Sequence, residues 1–194
     1  MRDYSFFRRL MLLALLWGGA CTRSEEAAET PGEEGEEEVS ATLPCVHFEE
    51  LRRFLPETLA GMTRTRDGGS SGRYGEVSVS EVERLFNRGE EREVKVRIVD
   101  TTLGEQLGQA IRAAAEEARG RAPSDPTAPI FWGDTVGFVR HDEASSLAEA
   151  SLLVGGRYVV AVTSRGFPGT VEVRRVARGM TLEGLARLHQ NPSP

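Results

Sequence analysis

Residues that could take part in catalysis stand at only a few places in this chain. A G-x-S-x-G pattern spans residues 68–72, with Ser70 at the position of a nucleophile. In that pattern the serine lies on a tight turn between a strand and a helix, which exposes its hydroxyl. Here the residues that follow, "RYGEVSVS", predict a strand, and no alternating parallel β-α order surrounds them. We therefore favour a flexible hairpin loop, with a hydrolase nucleophile at Ser70 as the alternative.

The histidines, His47, His141 and His189, are the imidazoles that a general base or a zinc site would have to use. Cys45 lies two residues before His47, and a His-Asp-Glu run occupies 141–143. Zinc sites need three or four ligands at characteristic spacing, and neither group supplies them locally. A metal site assembled from both groups is the alternative to solvated or capping roles. We predict no metal, no cofactor and no catalytic residue.

Asp100 ends a predicted strand beside Thr101 and Thr102, just before a predicted helix. A carboxylate and hydroxyls at that place can form a binding site, because the helix N-terminus carries partial positive charge. Asp and Thr are also common N-cap residues, since their side chains accept hydrogen bonds from free backbone N–H groups. We expect capping here rather than binding.

Aromatic residues form the other candidate site. The segment "PIFWGD" is bounded by proline and glycine, and it predicts a loop that carries Phe131 and Trp132. Together with Phe138 and Tyr158, these residues could line a ligand pocket or a partner surface, because bulky aromatic side chains are frequent interface anchors. A lid over the core of the domain would need the same residues. We predict Phe131 and Trp132 as the contacts to a partner or ligand.

The segment before the folded domain has the layout of a secretory signal. Arg2, Arg8 and Arg9 precede an apolar run, Leu10–Trp17, which small residues follow. A membrane-spanning helix needs about 20 apolar residues, so this run is too short to span. We predict a signal peptide over 1–20 that a peptidase removes.

The residues at the end of this run, Gly18, Gly19, Ala20 and Cys21, resemble the lipobox of bacterial lipoproteins. The resemblance implies cleavage before Cys21, a diacylglyceryl group on its sulfur and a further acyl chain, such as palmitate, on its amino group. Two or more chains make a stable membrane anchor. Thr22 stands where Asp commonly retains lipoproteins at the inner membrane, which implies the outer membrane, facing the periplasm. Ordinary secretory cleavage is the alternative, and Cys21 could then pair with Cys45.

Residues 21–43 predict a disordered acidic tether. They carry eight glutamates against one arginine and no apolar periodicity, so they cannot bury enough apolar surface to order. About 22 flexible residues reach roughly 25 Å, enough to hold a domain clear of the headgroups. A calcium-binding or basic-partner arm is the alternative. From residue 41 onward, 21 acidic residues face 20 basic ones, so no basic excess indicates a nucleic-acid partner.

The remaining chain predicts one globular domain over 44–190, followed by a tail over 191–194. Apolar alternation predicts strands in "GEVSVSEVERLF", "EVKVRIVD", "TVGFVRH" and "GRYVVAVTS", the first two forming an antiparallel hairpin. "TVEVRRV" is a possible last strand, and Leu147–Val154 is uncertain. Helical spacing predicts helices at the start, over Leu103–Gly120, and in "TLEGLARLH" with Thr181 as N-cap. We expect an α+β fold whose largely antiparallel sheet carries helices packed on one face.

Two functions fit these features. The first is a non-enzymatic envelope lipoprotein that binds a protein partner or an apolar ligand near the membrane. The second is a periplasmic hydrolase or metal-dependent enzyme that uses Ser70 or the 141–143 group. The first is our main expectation, because anchor, tether and compact domain all point to it.

Overall fold

The computed structural model describes residues 44–188, so the predictions on the signal, the lipidated Cys21, the tether and His189 lie outside the described residues. Among the described helices, none is both long and apolar enough to cross a membrane. The elements in chain order are helix α1 (Phe48–Arg52), strands β1 (Thr63–Tyr74), β2 (Val77–Arg88) and β3 (Arg92–Thr101), helix α2 (Gly104–Glu117), strands β4 (Thr127–Trp132), β5 (Thr135–Asp142), β6 (Leu147–Val154) and β7 (Tyr158–Arg165), and helices α3 (Val171–Arg178) and α4 (Leu182–Arg187).

One antiparallel sheet of seven strands organises the fold, in the order β1-β2-β3-β7-β6-β5-β4. Two runs of hairpin-connected strands, β1–β3 and β4–β7, join edge to edge through β3 and β7, and α2 carries the chain between them. The predicted hairpin is confirmed: Val82 pairs with Ile98, and both are fully buried. The prediction of an α+β fold with a largely antiparallel sheet is therefore confirmed.

The main core lies on the sheet face that α1, α3 and α4 cover. Alternate strand residues such as Phe86, Ile98 and Leu152 point into it and are fully buried. Because side chains alternate along a strand, the residues between them point to the other face. Leu51, Val176 and Leu185 close the core from the three helices. Burying each such side chain contributes about 1.5–3 kcal/mol.

Helix α2 packs against the opposite face, so the prediction that the helices share one face is wrong for α2. Leu153 points away from the main core, and a Cβ atom on Gly108 would lie 3.1 Å from its side chain. Ile111, Ala115 and Ala118 are buried along the same side of α2, the longest helix among the described residues. The physical reason is alternation, since Leu152 and Leu153 are both apolar and both faces of β6 need a cover.

Two segments differ from their predicted structure, and a third was left undecided by the sequence. "GGSSG" belongs to β1 rather than to a loop, because it pairs residue by residue with β2. "TVEVRRV" forms α3, not a strand, because Val173, Val176 and Ala177 share one buried side at helical spacing. Leu147–Val154 is strand β6. The first helix stops at Arg52, ahead of Pro56.

Candidate functional site

Ser70 does not lie in the setting that a nucleophile elbow requires. It is exposed in the edge strand β1, opposite Glu81 of β2. The neighbouring Ser71 points to the other face, where its hydroxyl accepts from the Phe48 N–H at 3.0 Å and contacts the Ser80 hydroxyl at 2.7 Å. Ser70 also lies five strand spacings, about 24 Å, from the strand that holds His141.

The 141–143 group has turn-forming contacts. The Asp142 carboxylate accepts from the Ala144 N–H and the Ser145 hydroxyl, and these bonds lower the pKa of Asp142. His141 lines an open cavity of about 490 Å³ with Asp125 and Glu143. In the part of the chain that the structure describes, no group of three or more His, Cys, Asp or Glu side chains is placed to hold a metal ion.

Asp100 does not cap α2, contrary to expectation. It is buried, and it accepts two hydrogen bonds from the Arg157 guanidinium, at 2.9 and 2.8 Å, and one from the Val46 N–H at 2.7 Å. Arg157 also donates to the Pro44 carbonyl oxygen at 2.6 Å. Bonding to Asp100 raises the pKa of Arg157. The pair therefore fastens the first described residues to the centre of the sheet.

Cys45 and His47 flank this attachment point, and neither takes a ligand-like position. The Cys45 thiol donates to the Ser78 carbonyl oxygen at 3.4 Å, and burial raises the pKa of the thiol. A raised pKa leaves less of the reactive thiolate at neutral pH. His47 is the N-cap residue of α1, where its Nδ1 accepts from the Glu49 N–H.

Phe131 and Trp132 lie in strand β4, so the predicted loop is wrong. Pro129 suggested a loop, but β4 is an edge strand, where a missing N–H on the solvent side costs no ladder hydrogen bond. Consecutive strand residues point to opposite faces. Phe131 is on the α2 face and 45% exposed, while Trp132 packs against the main core. The two residues therefore do not form one continuous surface.

The remaining aromatic candidate, Tyr158, belongs to the core. Its side chain is fully buried in β7, and burial raises the pKa of its hydroxyl to about 12. Phe138 is half-buried in β5. These residues serve as packing rather than as an exposed surface.

An arginine covers each of the two β4 aromatics, and the two arginines differ in their other contacts. The Arg119 guanidinium carbon lies 4.9 Å from the centre of the Phe131 ring, and Arg119 also pairs with Glu116. The Arg178 guanidinium carbon lies 5.0 Å from the centre of the Trp132 ring. Among residues 44–188, no acidic side chain forms an ion pair with Arg178.

Arg174 stands one helical turn before Arg178 on α3. Its Nε and Nη2 atoms are buried and have no hydrogen-bond partner among the described residues. Burial lowers the pKa of Arg174, and the positive charge of Arg178 lowers it further. Buried donors without acceptors cost about 1–3 kcal/mol each, more when charged. We call Trp132, Arg174 and Arg178 the α3 basic cluster.

The α3 basic cluster is a candidate site for an anionic group. Guanidinium groups bind carboxylates through paired N–H donors, and Trp132 supplies an apolar wall beside Arg178. Sequence reasoning found Trp132 but missed both arginines. Their i, i+4 spacing would have indicated a shared helix face if "TVEVRRV" had been recognised as helical.

The fold and the cluster together describe an antiparallel α+β domain with a basic, partly aromatic surface at one sheet edge. No protein-family model, curated protein or solved structure matches the chain.

Proposed function

We propose that this chain is a lipid-anchored, non-enzymatic binding protein of the bacterial envelope. In this proposal Cys21 carries the lipid, residues 21–43 form the tether, and the domain faces the periplasm from the outer membrane. The α3 basic cluster binds an acidic segment of a partner protein. The proximity of Arg174 and Arg178, neither of which forms an ion pair with a described acidic residue, carries the proposal.

The electrostatics favour an anionic partner. Like charges at i, i+4 on a helix repel each other, so an anion shared by Arg174 and Arg178 would remove an unfavourable interaction. The C-terminal end of a helix favours cations, which accounts for the place of Arg178. It does not account for the two buried nitrogens of Arg174, which gain acceptors when the long side chain turns toward a bound carboxylate.

The experiment uses a hexaglutamate peptide as the probe and tryptophan fluorescence as the readout. Trp132 is the only tryptophan after Trp17, which lies in the predicted signal. We expect the peptide to change the Trp132 emission of the full chain in detergent, with binding that weakens as salt rises. Arg174→Gln and Arg178→Gln should each weaken binding about tenfold, the loss of one charge-assisted contact.

The matched control is Arg175→Gln. Arg175 lies on the same helix and its removal changes the net charge equally, but it already pairs with Glu172 at 2.6 Å. Binding should be nearly unchanged in this variant. Equal losses in all three variants would show attraction by net charge alone, and an unchanged emission would overturn the assignment of the cluster.

A separate experiment tests the anchor. Mass spectrometry of the mature N-terminal peptide should find a diacylglyceryl group on Cys21, and Cys21→Ala should move the chain from the membrane to the soluble fraction. Cys45→Ala, which removes the other cysteine, should leave the membrane fraction unchanged. An unmodified Cys21 would overturn the anchor without affecting the peptide-binding result.

A further inference from the structure

The outer side of β1 is a long run of unpaired strand. β1 has twelve residues and pairs with β2 from Thr63 to Tyr74. In the sheet of the described residues it is the terminal strand, so no strand pairs with its other side. The N–H and C=O groups on that side form a template to which another strand can add.

The middle of this edge carries only small side chains of its own. Residues 68–72 are Gly-Gly-Ser-Ser-Gly, without bulky side chains or proline. Charged residues stand on both sides of it, with Arg66 and Asp67 before and Arg73 after. Natural sheet edges commonly use charges, prolines and bulges to prevent pairing. Here the small residues at the centre permit pairing, and the charged residues at its two ends decide which strand can pair and in which register.

We propose that β1 pairs antiparallel with β1 of a second copy of this chain, with Ser70 opposite Ser70. This register places Gly68 opposite Gly72 and Gly69 opposite Ser71, so the centre of the interface is formed by small residues. It also places Asp67 opposite Arg73, and Arg66 opposite Tyr74, in both directions across the axis. The strand is therefore complementary to itself in charge.

The flanking residues are available for these contacts. Arg73 forms no ion pair among the described residues, and its Nε donates to the Gly75 carbonyl oxygen. Tyr74 is 73% exposed. The Asp67 side chain bonds Arg84 on its inner side and is still 34% exposed. Opposite charges directly across strands stabilise pairing, and an arginine over a tyrosine ring adds a cation–π contact.

The charges also select the register. Backbone N–H and C=O groups point to alternate edges along a strand, so this pairing shifts in steps of two residues. A shift of two residues in one direction places Asp67 opposite Ser71 and Arg73 opposite Thr65. A shift in the other direction places Asp67 opposite Gly75 and Arg73 opposite Gly69, so neither charge meets an opposite charge across the interface. The register centred on Ser70 is the one that pairs all four flanking residues.

The helix beside β1 leaves room for the second copy. Helix α1 lies over β1 and β2, with the Phe48 ring above Gly69. In the proposed pair, a helix that lies midway between β1 and β2 stands two strand spacings, about 10 Å, from its copy. Two helices pack at axis distances of 8–10 Å, so both copies of α1 fit on the same face. The opposite face presents Gly68, Ser70 and Gly72, which are too small to clash.

The test compares Ser70→Lys with wild type, using the full chain in detergent and measuring mass by sedimentation over a wide concentration range. Wild type should dimerise with rising concentration. Two lysines opposite each other at the axis should raise the dissociation constant at least about tenfold. The fold should survive, because Ser70 is exposed and faces Glu81 within its own sheet. Ser124→Lys, at an exposed loop residue, is the matched control and should dimerise like wild type.

A crosslink checks the register. Opposite residues in antiparallel strands have Cα atoms about 4.5–5.5 Å apart, which suits a disulfide. Ser70→Cys should give a disulfide-linked dimer under mild oxidation, and Ser124→Cys should not. A wild type that stays monomeric overturns the proposal and leaves the edge to a strand of another protein. Dimers that persist in Ser70→Lys overturn it as well, because another surface then holds them.

Discussion

The two edges of the sheet offer opposite kinds of surface. β4 is short, contains Pro129, and presents aromatic side chains under arginines. β1 is twice as long, contains no proline, and presents mostly backbone at its centre. In our proposals, binding at β4 depends on the side chains that the strand carries, whereas pairing at β1 depends on the absence of large side chains at its centre. The two proposed surfaces lie at opposite edges of the sheet and would not compete.

The largest effect on stability is expected for Arg84→Met. Arg84 of β2 holds β1 through its ion pair with Asp67. The buried Arg84 guanidinium binds the Asp67 carboxylate at 2.5 and 3.3 Å and the Pro56 carbonyl oxygen at 2.9 Å. Removing one member of such a pair should lower the free energy of unfolding by about 3 kcal/mol, the low end for buried pairs because Asp67 is partly exposed. Denaturant unfolding measures the loss.

The control for this change is Arg66→Met, at a β1 residue on the face opposite to Asp67. Arg66 pairs with Glu83 at 3.3 Å, but its side chain is 56% exposed. Exposed pairs contribute less than about 1 kcal/mol. If both variants lost the same stability, the attachment of β1 would not depend on the buried pair.

At the other edge, Trp132→Ala and Phe131→Ala should differ. Trp132 packs against the main core, so its loss should cost about 2 kcal/mol, while the half-exposed Phe131 should cost about 1 kcal/mol. The two side chains lie on opposite faces, so the double variant should lose the sum of the two values. A coupling energy well above the error of the unfolding measurement would contradict the separation of the faces.

A smaller effect concerns pH. A hydrogen bond from Arg84 lowers the pKa of Asp67. The ionised carboxylate therefore stabilises the fold above its unfolded-state pKa, and this contribution is lost as pH falls through the folded pKa. Below about pH 4, hydrogen exchange corrected for intrinsic rates should increase in β1 relative to β4. In Asp67→Asn the difference between the edges should no longer depend on pH.

The smallest expected change in stability is that of Pro129→Val. An edge proline lacks the N–H that would otherwise face solvent, so restoring it should change the free energy of unfolding by less than about 1 kcal/mol. It should increase self-association, since the blunted edge becomes a pairing template. Light scattering would detect this, and an unchanged signal would mean that proline does not protect β4.

Sequence periodicity was sufficient to predict secondary structure where a segment was long and only one of its faces was buried. The β2–β3 hairpin and α2 were predictable for this reason. α3 was not, because Val171 and Val173 alternate with Glu172 and Arg174 as in a strand, and seven residues do not separate the two periods. "GGSSG" has low strand propensity, and its pairing with β2 overrides that propensity.

The candidate site needed information that no local pattern contains. The opposite directions of Phe131 and Trp132 follow from β4 being a strand. Pro129 argued against a strand, because proline is tolerated mainly at an edge, and only the order of the complete sheet shows that β4 is an edge strand. The burial of Asp100 depends on Arg157, a residue 57 positions later in the chain. Contacts of such separation are set by topology.

The attachment of Pro44 and Val46 to Asp100 and Arg157 has a mechanical consequence. Asp100 lies in β3, and Arg157 lies in the turn before β7. Both strands are in the middle of the sheet, where each has a neighbouring strand on both sides. A pull on the chain ahead of Pro44 is thus delivered to the centre of the fold, where many hydrogen bonds share the load. A pull delivered to an outer strand would peel bonds away one after another.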